Sequence, residues 1–338
     1  MARIFISCDW GTTHFRLRLV AADQGRPEAE FSSAQGAAAV AASAPSAQRA
    51  EAFRRVLADG LQQLVAGGQR ESAIAQLPVI ISGMASSSIG WQQLDYARVP
   101  WRLDGNDAAW RELEPLAAPT GPHRVLLLSG VRTDADILRG EETQSLGVYQ
   151  LHSADLLAGE ALVVLPGTHS KHLHIAGHCL TGFQTFMTGE LFEVLGSHSI
   201  LRHSVADAPS ASSPAETDAR AQRTAFLAGV EHAAGLPLSA ALFRVRTRQV
   251  LDDADPAGNR AFLSGLVIGA ELAHLAQASN QAPRTPIVLC ATPTLAEPYV
   301  LAGESLGLAG RLHVLPADEV ERLTALGQAR LAQCRSLL

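Results

Sequence analysis

A carboxylate, a glycine and two hydroxyls stand together in the stretch Asp9-Trp-Gly-Thr-Thr13. Backbone N–H groups beside a glycine, together with hydroxyl donors, can bind phosphate oxygens. A carboxylate in the same turn can hold Mg²⁺, which takes one or two carboxylates together with phosphate oxygens and water. These residue types predict a magnesium and phosphate site, although a plain hairpin with a polar turn fits the same five residues.

A second glycine–threonine pair occurs in Pro166-Gly-Thr-His-Ser-Lys171, directly after the apolar run at 161–165. Lys171 is the single lysine, since arginine supplies 26 of the 27 basic residues. A compact ammonium group differs from the planar guanidinium in its contacts, so Lys171 is a candidate to neutralise charge on a phosphoryl group. The preference for arginine over lysine fits codon usage in a GC-rich genome. The alternative to a functional role is that Lys171 is a lysine retained by chance.

The elements around these turns follow from hydrophobic periodicity. Apolar Phe15, Leu17 and Leu19 alternate with Arg16 and Arg18, which is typical of a half-buried strand and predicts a hairpin over residues 4–19. The second pair sits in a similar apolar strand, turn and strand, which suggests a weak internal repeat. Strands interleaved with helices indicate an α/β protein. The further predicted strands are 77–81, 125–128, 287–290 and 312–315, and the predicted helices are 46–66, 137–151, 221–234, 258–278 and 317–334.

Composition narrows the class of protein. A chain of 338 residues is long enough for two domains. The net charge of −6 argues against nucleic-acid binding, and no apolar run is long enough to suggest a membrane span or a signal peptide. Four widely separated cysteines give neither a disulfide framework nor a zinc pattern. We therefore expect a cytoplasmic protein that contacts neither nucleic acid nor membrane.

No P-loop or dinucleotide-binding glycine motif is present, so any nucleotide must be bound by hairpin turns. Two such turns, each opening an α/β half, resemble the actin, hexokinase and Hsp70 ATPase superfamily. More closely, the chain resembles the 2-dehydro-3-deoxygalactonokinase family over nearly its whole length. The resemblance is carried by five blocks: Asp9-Trp-Gly-Thr-Thr13, Arg139-Gly-Glu-Glu-Thr-Gln144, Leu165-Pro-Gly-Thr-His-Ser-Lys171, Met187-Thr-Gly-Glu190 and Phe262-Leu-Ser-Gly-Leu-Val-Ile-Gly-Ala-Glu271.

The resemblance implies a two-domain, actin-like (ribonuclease H-like) ATPase fold with an interdomain cleft. We expect a first domain at 1–132, completed by a C-terminal helix at about 317–338, and a second domain at 133–316. It also implies ATP-dependent phosphorylation of 2-dehydro-3-deoxy-D-galactonate to the 6-phosphate in galactonate degradation, with Mg²⁺. Asp9 would hold the metal, and the phosphate contacts would come from Gly11, Thr12, Thr13, Gly167 and Thr168, with Lys171 as a catalytic cation.

A proton acceptor for the sugar hydroxyl is needed in such a reaction. Related sugar kinases carry an acidic residue after a glycine at the start of the second domain, and Gly140-Glu141 fits that position. Glu141 is the first candidate for the base and Glu142 the second. Acidic residues favoured by the dipole at a helix N-terminus are the alternative explanation for this pair.

The sugar acid needs a cation for its carboxylate, and arginine suits a carboxylate bidentately. The substrate-binding candidates are Trp10, Arg16, Ser87, Ser88 and Arg139, with Arg98 as a further arginine. Serines stand at 86 and 88, where family members carry glycine and a larger polar side chain, which leaves the sugar specificity open.

Three other functions fit parts of the same pattern. They are a kinase for a different sugar acid, a non-catalytic nucleotide-switched binding protein of the same fold, and a phosphatase acting on polyphosphate or nucleotides. The oligomeric state, including a homodimer, is left open by the sequence.

Overall fold

The computed structural model describes residues 3–66, 74–205, 216–279, 285–335 and 337. The chain forms two compact units that interleave along the sequence. Unit 1 comprises Met1–Glu160, Leu173–Phe183 and Asp318–Leu338, and unit 2 comprises Ala161–His172 and Gln184–Ala317. The predicted boundary at 132 stays a prediction; the packing unit that contains the first hairpin continues to Glu160.

Unit 1 is organised by a six-stranded sheet of order β3-β2-β1-β4-β8-β7. Strands β1, β2 and β3 are antiparallel neighbours, whereas β1, β4 and β8 run parallel and β7 returns antiparallel at the edge. The strands are β1 (Ile4–Trp10), β2 (Phe15–Ala21), β3 (Pro27–Ser33), β4 (Val79–Gly83), β7 (Trp110–Ala118) and β8 (Gly121–Leu128).

The predicted alternation in β2 appears as alternating burial. Phe15 and Leu17 have no exposed surface, while Arg16 and Arg18, which alternate with them, are partly exposed. The buried face packs against a helix whose apolar residues, among them Phe53 and Leu57, recur at helical spacing. Burial of this face fixes the register, because a slip of one residue would turn the arginines into the core.

Short strands and further helices complete unit 1 in the part of the chain that the structure describes. Strands β5 (Ala97–Arg98), β9 (Val131–Arg132) and β10 (Ile137–Leu138) form a small sheet. The β6 residues Trp101–Arg102 pair with the start of β13 (Cys179–Phe186). The helices are α1 (Ala37–Ser43), α2 (Arg49–Ala66), α3 (Glu141–His152) and α10 (Ala317–Cys334).

Unit 2 is built on parallel strands and, among its described residues, six α-helices. The strands lie in the order β15-β14-β11, and β12 lies next to β11. Helices α5 and α8 pack most extensively, and apolar side chains such as Phe226 and Leu289 fill the core. The elements are β11 (Ala161–Leu165), β12 (Ser170–Ala176), β14 (Ile287–Leu289), β15 (Leu312–Val314), α4 (Thr188–His198), α5 (Glu216–Gly235), α6 (Leu238–Leu242), α7 (Arg244–Asp252), α8 (Pro256–Ser279) and α9 (Pro293–Ser305).

This architecture confirms the predicted α/β class. The unit 1 order 3-2-1-4 followed by β8, with one antiparallel strand between parallel neighbours, is the order of the ribonuclease H-like fold that the resemblance implies. Both glycine–threonine motifs lie at the turn between two neighbouring strands, β1–β2 and β11–β12. None of the four cysteines, all of them within the described residues, forms a disulfide.

Helix α10 packs against α3 with the two backbones in direct contact. A methyl group placed on Gly327 would lie 1.9 Å from the Thr143 carbonyl oxygen, and one on Gly147 would lie 2.2 Å from the Leu323 carbonyl oxygen. The buried amide of Gln328 also donates to the Cys8 carbonyl and to Ser82 Oγ, both at 2.9 Å. The C-terminal helix therefore connects α3 to the ends of β1 and β4.

Gly327→Ala tests this connection. Because the added methyl meets backbone rather than a movable side chain, we expect a loss of about 3 kcal/mol or more in the free energy of unfolding, measured by urea denaturation. Gly159→Ala is the matched control in the same unit, since a methyl there would meet nothing within 4 Å. Equal stabilities for the two variants would contradict the packing described here.

Candidate functional site

The first turn follows the end of β1 and is held by the start of α1. Gly11 N–H donates to the His14 carbonyl at 2.9 Å, while the Ala37 and Ala38 N–H groups donate to the Gly11 and Thr12 carbonyls at 2.9 and 3.1 Å. The side chains of Thr12 and Thr13 remain exposed. The turn is thus fixed through its carbonyl groups, which leaves its two hydroxyls available to a ligand.

Asp9 is the penultimate residue of β1 and lies directly opposite Arg16 of β2 in the hairpin register. Burial raises the pKa of the Asp9 carboxyl above its ordinary value, the charge of Glu141 raises it further, and Arg16 and Arg18 offset part of this rise. Two carboxylates that disfavour each other's charge gain from a cation bound between or beside them. Asp9 therefore has the electrostatic setting of a cation ligand.

Two glycines bring the start of α3 to the same edge of the sheet. Gly83, at the end of β4, has φ of 93°, and a methyl group there would lie 2.6 Å from the Trp10 carbonyl oxygen. Gly140, which precedes α3, has φ of 110° and lies against Gly83, so that a methyl group would contact its Cα at 3.5 Å. These positions favour glycine, and the contact places Glu141 beside the end of β1.

The acidic pair at the start of α3 divides into two different environments. Glu142 is 2% exposed; its Oε2 accepts from Gly140 N–H at 2.6 Å and its Oε1 accepts from the Thr143 hydroxyl at 2.9 Å. Burial and the neighbouring Glu141 charge raise the pKa of Glu142 to about 7. Glu141 is partly exposed, and its Oε2 accepts from Arg139 N–H at 3.0 Å. Glu141 is therefore the member of the pair with surface to offer a ligand.

Arg139 lies just before this pair and is held by the loop that follows β4. Its guanidinium donates to Ser86 Oγ and lies 4.1 Å from the centre of the Tyr96 ring. A second contact reaches the Leu94 carbonyl at 3.5 Å. A guanidinium fixed by a hydroxyl and an aromatic face is oriented in advance for a planar anion.

The other substrate-binding candidates are placed differently. Trp10 has no exposed surface, packs against Phe15 and Phe53, and donates its indole N–H to the Gln35 carbonyl at 3.0 Å. The substrate role predicted for Trp10 does not agree with this burial, and its size explains why it serves the core instead. Arg16 pairs with Glu30 at 3.7 Å on the sheet.

The serines divide in the same way. Ser87 is buried and its hydroxyl donates to the Met84 carbonyl at 2.7 Å, whereas Ser88 is exposed. Arg98 forms an exposed ion pair with Asp134 at 2.9 Å.

The second turn lies in unit 2 between β11 and β12. Gly167 has open space around its Cα, so a ligand can approach its backbone. Lys171 is 5% exposed, and its ammonium group donates to the His169 carbonyl at 2.9 Å. The stretch at 187–190 begins α4 and touches this turn, since Glu190 N–H donates to the Thr168 carbonyl at 3.0 Å. The block at 187–190 therefore forms the N-terminus of α4, and this N-terminus is hydrogen-bonded to the turn.

The carboxylate at the first turn fits a magnesium ion whose other ligands would be water and phosphate oxygens. Among the residues that the structure describes, no cluster of three or more His, Cys, Asp and Glu side chains could hold a metal. Mg²⁺ keeps several waters and phosphate oxygens and needs one or two carboxylates from the protein. Asp9 carries a carboxyl group of this kind beside the first turn.

One buried acidic residue was not assigned a role from the sequence. Glu271 belongs to the fifth block of the resemblance, is 2% exposed, and accepts hydrogen bonds from four side chains of unit 2. A glutamate as the single charged residue of the mostly apolar stretch 262–272 was the available signal. Its partners lie far from it in sequence, so the contacts themselves could not be deduced.

Comparisons with known proteins agree with this geometry. The family model described as 2-keto-3-deoxy-galactonokinase matches residues 9–327. The chain belongs to this family. The match includes both glycine–threonine turns, the acidic pair and Glu271, and it confirms the resemblance predicted from the five blocks.

Individual relatives extend the match over the whole chain. A probable 2-dehydro-3-deoxygalactonokinase of Rhizobium meliloti (strain 1021) is 36% identical over 339 residues, which cover 97% of each chain. The 2-dehydro-3-deoxygalactonokinase of Escherichia coli (strain K12) is 30% identical over 91% of each chain. A crystal structure of a protein from Sinorhizobium meliloti assigned to the same activity superposes with a TM-score of 0.76, at 33% identity, over 99% of this chain and 100% of that one.

Within the described ranges, no helix of this chain combines the length and the apolar character needed to cross a bilayer.

The raised pKa of Glu142 predicts a pH-dependent stability. Its folded-state pKa of about 7 exceeds the ordinary 4.5, so its contribution is favourable at low pH and is lost as the pH rises from about 4.5 through about 7. Glu142→Gln removes this pH-dependent contribution to the free energy of unfolding. We expect the variant to gain about 3 kcal/mol relative to wild type between pH 4.5 and pH 8, measured as the free energy of unfolding in urea.

The exposed Glu160→Gln serves as the control and should follow the wild-type pH dependence. If Glu142→Gln also follows the wild-type curve, then Glu142 does not carry a raised pKa.

Proposed function

We propose that this protein transfers the terminal phosphoryl group of ATP to the 6-hydroxyl of 2-dehydro-3-deoxy-D-galactonate, in galactonate degradation. Membership of a carbohydrate kinase family supports this activity, as do the names of the two curated relatives. The observation that carries the proposal is the edge of the unit 1 sheet, where Asp9, Glu141 and Arg139 lie together. These are a cation ligand, a proton acceptor and a carboxylate receptor.

Glu141 is proposed as the general base that accepts the proton of the sugar hydroxyl. It is partly exposed, whereas both oxygens of Glu142 already accept hydrogen bonds from Gly140 and Thr143 inside the protein. A base must reach within hydrogen-bond distance of the proton it removes. Glu142 is retained as the second candidate for the base. Its simpler role is to hold the Gly140 backbone through the hydrogen bond from the Gly140 N–H.

The phosphates of ATP are assigned to the two turns. The turn Gly11-Thr12-Thr13 offers the hydroxyl donors of its two threonines in unit 1, and Gly167, Thr168 and Lys171 offer donors and one positive charge in unit 2. Magnesium, when bound through Asp9, would neutralise charge on the phosphate oxygens. Lys171 would stabilise the charge that develops on the transferred group.

Arg139 is proposed to bind the carboxylate of the sugar acid. Its guanidinium is oriented by Ser86 and Tyr96, and a planar fork matches a carboxylate with two parallel hydrogen bonds. The exposed Ser88 is kept as a hydrogen-bonding candidate for sugar hydroxyls, while Arg16 and Ser87 are occupied by Glu30 and Met84. We place the reaction in the cytoplasm, where ATP is supplied. The oligomeric state, which the sequence leaves open, can be measured by light scattering.

A coupled assay of ADP release with a panel of sugar acids tests the function. We expect ADP release only when 2-dehydro-3-deoxy-D-galactonate is present, with a 6-phosphate product identified by mass spectrometry. Preference for another acid would indicate a kinase with a different acceptor. ATP binding without turnover would indicate the nucleotide-switched binding protein, and phosphate release without any acid would indicate the phosphatase.

Glu141→Gln tests the base. Removal of a general base costs about 100-fold to 10,000-fold in rate, so we expect kcat to fall by about 100-fold or more while the KM for MgATP changes little. The exposed Glu160→Gln should retain the wild-type kcat. Near-normal turnover in both Glu141→Gln and Glu142→Gln would show that neither carboxylate is the base.

Arg139→Lys tests the carboxylate receptor. Lysine keeps the charge but loses the bidentate contact, so the KM for the sugar acid should rise about tenfold or more with the KM for MgATP unchanged. Arg98→Lys is the matched control, because that side chain is 64% exposed and pairs only with an exposed aspartate among its described contacts. An equal effect of both substitutions on the KM would argue for general electrostatics instead.

A further inference from the structure

Glu271 is a buried carboxylate that serves four donors at once. Oε1 accepts from Ser170 Oγ at 2.7 Å and from His172 Nε2 at 2.8 Å. Oε2 accepts from the Tyr299 hydroxyl at 2.8 Å and from the Thr188 hydroxyl. The donors come from β12, α9 and the first residue of α4, so one side chain of α8 connects three other elements.

Two of these elements contain segments that lie at the second glycine–threonine turn. Ser170 and His172 stand at the start of β12, one intervening residue after the Gly167-Thr168 pair, and they bracket Lys171 in the chain. Thr188 begins α4 within the block at 187–190. The contacts of Glu271 therefore determine where the turn lies relative to the start of α4.

The two segments also touch each other directly and leave little freedom between them. Besides the bond from Glu190 N–H to the Thr168 carbonyl, His169 Nε2 lies 2.5 Å from a Glu190 carboxylate oxygen. A methyl group on Gly189 would lie 2.6 Å from the Gly167 carbonyl oxygen. A small displacement of either segment would therefore move the backbone of the turn.

The chemistry of the cluster requires a carboxylate. Burial by itself raises the pKa of Glu271, but the hydrogen bonds from His172, Thr188 and Ser170 outweigh burial and hold the pKa below its ordinary value. An ionised carboxylate is an acceptor at both oxygens and can serve four donors, whereas an amide has one acceptor oxygen. Removing the charge without removing the volume thus changes which donors can be satisfied.

We propose that Glu271 is a positioning residue that holds the turn at 167–171 and the start of α4 at the spacing needed to bind the phosphates of a nucleotide. This rests on the proposed function in assigning phosphate to the turn. Glu271 itself would contact no substrate. It acts through Ser170 and Thr188, on the backbone of Gly167 and Thr168 and on the direction of Lys171.

Glu271→Gln in the full-length protein is the direct test. The volume is kept and one amide oxygen still accepts from Ser170 and His172, but the donors on Thr188 and Tyr299 meet an N–H₂ group. We expect the dissociation constant for MgATP, measured by calorimetry, to rise about tenfold. The KM for the sugar acid should change less than twofold, because its proposed site is in unit 1.

Hydrogen exchange gives a readout that needs no turnover. In wild type the Glu190 amide is bonded to the Thr168 carbonyl, and we expect peptides covering 166–172 and 187–192 to exchange at least about tenfold faster in Glu271→Gln. Peptides from the unit 1 sheet should exchange as in wild type. A general loss of stability would instead accelerate exchange throughout unit 2.

Matched variants separate positioning from stability. Thr188→Val removes one donor and leaves the carboxylate in place, so it should reproduce the weaker MgATP binding, and Thr188→Ser should restore it. Tyr299→Phe removes a donor that belongs to α9 rather than to either segment. It should lower the melting temperature while MgATP affinity stays within twofold of wild type.

The outcomes distinguish this proposal from the proposed function. Wild-type MgATP affinity in both Glu271→Gln and Thr188→Val would overturn the positioning role and leave the kinase assignment intact. A wild-type protein that binds MgATP but phosphorylates no sugar acid would contradict the kinase assignment alone. Equal weakening by Tyr299→Phe and Glu271→Gln would show that the cluster contributes only stability, which also overturns the proposal.

Discussion

The contact of backbone on backbone at the end of the first sheet is the constraint on which the unit 1 site depends. Gly83 lies against the Trp10 carbonyl and Gly140 lies against Gly83. A side chain at Gly83 would collide with the Trp10 carbonyl and separate β4 from β1, and the positive φ of Gly140 would strain any residue with a side chain there. Since Asp9 is carried by β1 and Glu141 by α3, their mutual electrostatic influence follows from this contact. Helix α10 secures it from the other side through Gly327 and Gln328.

Unit 2 positions its turn by a different physical means. There the glycine–threonine turn and the start of α4 are related through a buried charge, Glu271, whose four hydrogen bonds replace the water it has lost. A buried carboxylate is costly unless it is fully satisfied. An arrangement that satisfies it tolerates few alternatives, so the network specifies geometry. Steric contact defines one half of the proposed chemistry and hydrogen bonding defines the other.

Hydrophobic periodicity predicted the central elements well. The strand at 161–165 and the helix at 317–334 have the predicted bounds, and the helix predicted at 258–278 spans Pro256–Ser279. Two of the strands that were not predicted lie at the edges of the unit 1 sheet. Strand β3 lies at a sheet edge with a largely exposed, polar sequence, and β7 at the opposite edge contains Pro115 and a register shift. Edge strands bury less apolar surface, so their patterns carry a weaker signal.

The sequence by itself determined the class of chemistry and the family, because those depend on residue types at short spacing: two glycine–threonine turns, an acidic pair after Gly140, and one lysine. The tertiary structure alone decided how neighbouring residues differ. It buries Glu142 and leaves Glu141 partly exposed, and it places Trp10 in the core next to Asp9, the candidate for the metal ligand. It also gathers around Glu271 donors from 28 to 101 residues away. Burial and long-range hydrogen bonds arise from how the elements pack, which no local pattern encodes.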